Sequence, residues 1–79
     1  VREHVLLKVS RTKENSEALV AVASTFHAGV LSVTDHSMLV ELTGDPRTLD
    51  SFVELYQPYG VQKILRTGTM AIQVDDKAE

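Results

Sequence analysis

Gln57–Ile72, QPYGVQKILRTGTMAI, is the stretch whose reading decides the fold of this 79-residue chain. Pro58-Tyr59-Gly60 stops the helix before it, because proline lacks the N–H that a helix interior needs and glycine accepts the backbone that ends one. Val61 to Leu65 follows as a short aliphatic strand, and Arg66-Thr67-Gly68 breaks it. Upstream, Thr43-Gly44-Asp45-Pro46 makes the reverse transition. Asp45 can cap a helix, and Pro46 can occupy its first turn, where a missing N–H costs nothing. Between the two signals Leu49, Phe52, Val53 and Tyr56 recur at helical spacing. The second half of the chain therefore reads strand, helix, strand.

Working outward, Val5-Leu6-Leu7-Lys8-Val9 has the near-continuous apolar character of a central strand covered on both faces. Ser16, followed by Glu17, is the expected N-cap of a helix whose stripe is Leu19, Val22, Ala23 and Phe26, with Gly29 as its stop. Val30–Val33 and Met38–Leu42 read as strands joined by a hairpin at Thr34-Asp35-His36-Ser37. Beyond Gly68, Met70, Ile72 and Val74 alternate with Ala71 and Gln73, which predicts a continued or separate fifth strand. The order is βαββαβ. It predicts an α+β, ferredoxin-like domain over 1–74: a four-stranded antiparallel sheet, two helices on one face, a possible extra C-terminal edge strand, and a polar tail at 75–79. Leu6, Leu31, Leu39 and Ile64 are expected on the sheet face away from the helices, and an uncovered apolar face marks a partner.

A chain of 79 residues supports one core and buries roughly 60–65% of the surface its unfolded form exposes. Scaled by length, its stability is about 4–12 kcal/mol, so oligomerisation would help it substantially, and a homo-oligomer is expected. There is no cysteine, which removes disulfides and thiolate metal sites and fits a reducing, cytoplasmic setting. The net charge of −3 and the scattered Lys and Arg argue against nucleic acid. No apolar run reaches transmembrane length, and the start does not read as a signal peptide, so no membrane partner is expected. A start at Val1 is read as a fragment of a longer polypeptide.

Chemistry is sparse. His4, His27 and His36 lack the spacing that converges two imidazoles on a metal from one element, so no metal site is assigned. Ser24, Thr25, Ser37 and Thr67 lack a base and an orienting acid in any nucleophile motif, so no catalytic residue is assigned either. Gly44 and Gly68 fall outside any phosphate-loop pattern and read as turn-makers. Arg66, late in an apolar strand, either pairs with a carboxylate across a subunit interface or snorkels to solvent; it is the one candidate subunit contact. The expected strands Val5–Val9 and Met38–Leu42 have no aromatic residue to stack bases, which weakens an RNA-binding reading. Ser10–Asn15 has no glycine, which weakens an acylphosphatase-like one.

Phe26-His27-Ala28, Glu41-Leu42-Thr43-Gly44-Asp45, Pro58-Tyr59-Gly60-Val61 and Arg66-Thr67-Gly68, taken in order, resemble the C-terminal domain of the acetolactate synthase small subunit. The resemblance runs from Leu6 to Ala71. It implies a non-catalytic regulatory role, with a catalytic large subunit as partner. That partner, not this chain, would carry thiamine diphosphate, a divalent metal and flavin, so no cofactor is expected here. The small subunit raises the activity of the large one and confers feedback inhibition, commonly by valine, in branched-chain amino-acid synthesis. Members of the family pair an N-terminal ACT domain, holding most of the effector site, with a ferredoxin-like domain of this kind. Gly44, Asp45, Gly60, Thr67 and Gly68 match the family motifs and read as structural. The family often has Arg where this chain has His27, and Asp where it has Ser32. The alternative reading is a module that senses a small molecule or metal at its own homodimer interface.

Overall fold

The computed structural model describes residues 2–67 and, for the backbone, 72–76. Along the chain run β1 (Glu3–Ser10), α1 (Ser16–Phe26), β2 (Gly29–Val33), β3 (Ser37–Gly44), α2 (Pro46–Tyr56), a 3-10 turn at Gln57–Tyr59, β4 (Val61–Thr67) and β5 (Ile72–Asp76). The strands form one antiparallel sheet in the order β2-β3-β1-β4-β5. This is the expected ferredoxin-like βαββαβ arrangement, with the fifth strand separate and added beside β4. β5 sets Val74 opposite Leu65 and Asp75 opposite Ile64, so it takes in Asp75 and Asp76, which the sequence reading gives to a polar tail. Strand pairing uses backbone groups, and a charged side chain does not prevent it at a sheet edge.

Alternation along β1 sends Val5, Leu7 and Val9 into the core and leaves His4, Leu6 and Lys8 on the other face. Met38 and Val40 of β3 join them, opposite Val9 and Leu7, and Val61 of β4 completes the row. Both helices lie over this face. Leu19 and Ala23 from α1, and Leu49, Phe52 and Tyr56 from α2, are buried against it. The Phe52 ring meets Phe26 at 5.3 Å and Tyr56 at 5.2 Å, both edge-on, the arrangement favoured by aromatic quadrupoles. The Tyr56 hydroxyl donates to the Leu19 carbonyl at 2.8 Å, so this buried polar side-chain atom is satisfied.

The helix ends differ from the sequence reading at α1. Ser16 is the first helical residue, not the cap. Asn15 holds the cap position within a reciprocal pair, in which the Thr12 N–H donates to Asn15 Oδ1 at 2.8 Å and the Asn15 N–H donates to Thr12 Oγ1 at 3.1 Å. Ser16 Oγ turns back to donate to the Thr12 carbonyl. The stop is also earlier than Gly29: His27 adopts left-handed backbone at φ 56° and ψ 37°. Its N–H reaches the Ser24 carbonyl and that of Ala28 reaches Ala23, which closes the helix as a Schellman motif. Gly29 already belongs to β2, opposite Glu41.

The second half follows the sequence more closely. Asp45 caps α2, accepting the Thr48 N–H at 2.8 Å, and Pro46 sits at the first helical position. The Thr48 N–H is the main cause holding the Asp45 carboxyl below its ordinary value, and the Thr48 hydroxyl adds to it. After the 3-10 turn, Gly60 at φ 96° redirects the chain into β4, and its carbonyl accepts the Ser10 N–H at 2.8 Å. A Cβ there would stand 3.2 Å from Ser10 Oγ, so glycine answers both a backbone and a space requirement.

β4 then carries a bulge. Val9 pairs with Val61 but Lys8 pairs with Lys63, which makes Gln62 the extra residue and reverses the faces beyond it. Ile64, expected on the far face, therefore packs on the core side opposite Leu7. Leu31, expected there too, is the extra residue of a second bulge in β2, between Val30 and Ser32. Among the described residues no helix is long and apolar enough to cross a membrane.

Candidate interaction surfaces

Arg66 follows the Gln62 bulge, so it stands on the helix side of β4, opposite Val5. Its guanidinium holds three groups of its own chain. Nε donates to Glu3 Oε1 at 2.9 Å, Nη1 to Asp50 Oδ1 at 2.7 Å, and Nη2 to the Pro46 carbonyl at 3.0 Å. The side chain is 17% exposed. Burial works against its charge, and the hydrogen bonds to Asp50 and Glu3 outweigh burial and hold Arg66 above its ordinary value. The planar fork of arginine ties the ends of β1 and β4 to the first turn of α2.

The other motif residues sit around the same end of the sheet or at its turns. Gly44 is buried at the end of β3, where a Cβ would meet Thr48 and Leu49 at ordinary contact distances. Asp45 is the α2 cap, and Gly60 is the left-handed entry to β4. Thr67 ends β4 opposite His4. Gly68 lies outside the described residues.

The sheet face turned away from the helices is a mixed surface. One row across it is Glu41, Leu6 and Leu65 from β3, β1 and β4; the next is Leu39, Lys8 and Lys63. His4 Nε2 meets Glu41 Oε1 at 2.9 Å, an ion pair when the imidazole is protonated. Leu6 and Leu39 are the two residues of the expected apolar set that the structure places here, and Leu65 joins them. Among the described residues no group of three or more His, Asp or Glu could hold a metal ion.

A third surface is the β2 edge. Val30, Leu31 and Val33 are 45%, 51% and 51% exposed, and Val20 on α1 is 53% exposed. Sequence reading expects Leu31 on the sheet face away from the helices and assigns no surface to the other three; all four are exposed. The signal that could have found them is the absence of any charged residue or proline between Gly29 and Val33.

Comparison with known proteins agrees with this architecture. A crystal structure of the acetolactate synthase small subunit from Thermotoga maritima superposes with a TM-score of 0.79 at 24% identity, over 99% of this chain and 46% of that one. The acetolactate synthase small subunit of Bacillus subtilis is 34% identical over 70 residues, 89% of this chain and 41% of its own length. A probable acetolactate synthase small subunit of Archaeoglobus fulgidus is 31% identical over 71 residues, 90% of this chain and 45% of its own length. The chain thus spans less than half the length of these relatives. The model of the family described as the small subunit of acetolactate synthase matches residues 2–75, nearly the whole of the domain built above, and the chain belongs to that family.

Proposed function

We propose that this chain is a non-catalytic regulatory domain of acetolactate synthase, acting by assembly with the catalytic subunit and with further copies of itself in the cytoplasm. The observation that carries this reading is the family match over residues 2–75. The surfaces support it. The Leu6, Leu39 and Leu65 face, interleaved with His4, Glu41 and Lys8, has the apolar centre and polar surround of a protein contact. Arg66 serves such contacts from within, by fixing the end of β4 and the start of α2 to β1.

A domain without a reacting group changes an enzyme by favouring one arrangement of subunits, a coupling of about 1–3 kcal/mol. An effector bound elsewhere in the assembly would act through the same arrangements, giving feedback control of branched-chain amino-acid synthesis. The test is acetolactate formation by the catalytic subunit of the same organism, alone and with the polypeptide that carries residues 1–79, with and without valine. Removing these residues is expected to lower activation or the valine response. Activation and valine response that survive their removal intact would overturn the proposal.

A further inference from the structure

We draw no further inference here: the strongest candidate, the open sheet face on which Leu6, Leu39 and Leu65 lie among Lys8, Lys63 and the His4–Glu41 pair, belongs to the interaction surface already described, and nothing in the structure shows what covers it.

Discussion

Arg66 at the end of β4 and Glu3 at the start of β1 share a 2.9 Å hydrogen bond across a sequence separation of 63 residues. The other arm of the guanidinium holds Asp50. Glu3 is the more shielded carboxylate, its side chain 20% exposed against 68% for Asp50, so the two bonds have unequal weight.

Arg66→Met is expected to destabilise the fold by about 1–3 kcal/mol, because it leaves Glu3 in a partly buried site without its cation. Arg66→Lys keeps the charge but not the fork, and should recover only part of this. Urea titrations of both variants measure it. In double-mutant cycles, coupling to Asp50 should be about 0.2–1 kcal/mol and fade with salt, with coupling to Glu3 the larger. Equal coupling to the two carboxylates would contradict the assignment.

Tyr56→Phe removes the hydroxyl that reaches Leu19 and should cost about 0.5–1.5 kcal/mol. Burial pushes the Tyr56 hydroxyl up to about 12, from an ordinary value of 10.0. Because the folded value is the higher one, the stabilisation is complete below pH 10 and is lost as pH rises toward 12. The melting temperature of the natural chain should therefore fall relative to that of the variant across that interval. A constant difference would show that the hydroxyl ionises equally in both states.

At His27, left-handed backbone is imposed on a residue with a Cβ. His27→Gly should stabilise the monomer by about 0.5–1 kcal/mol, since the strain removed exceeds the extra freedom glycine gives the unfolded chain. The expected rise in melting temperature is roughly 2–8 °C for a domain of this size. It is to be read at low concentration, apart from any dimer contact. His27→Val, branched at Cβ, should move the other way.

Much of this was legible in the sequence wherever one local signal sufficed. Asp45-Pro46 marked the start of α2, Pro58-Tyr59-Gly60 its end, and the Val5, Leu7, Val9 alternation the inner face of β1. What escaped depends on backbone geometry that hydropathy does not encode. Strict alternation from Val61 puts Ile64 on the far face, and one extra residue, Gln62, reverses it. At α1, Gly29 was the stronger statistical stop, yet His27 took the left-handed position because the apolar stripe closes with Phe26. Asn15 displaced Ser16 as cap because Thr12 offered it a reciprocal bond. The partners of Arg66 were out of reach for another reason: Glu3 and Asp50 become its neighbours only when β1, α2 and β4 are assembled.

That β1 lies in the middle of the sheet has a consequence for how the domain forms. The strand made earliest in this chain is completed on one side by β3 and on the other by β4, which is made much later. Until β4 arrives, the Val5, Leu7, Val9 row has one open flank, and α2 has no Arg66 to secure its first turn. Such long-range pairing is expected to make folding slower than in a helical bundle of the same length, and a single domain of this size is expected to unfold cooperatively. A nascent or clipped chain lacking β4 would hold an unfinished sheet, so the domain is built as a whole or not at all.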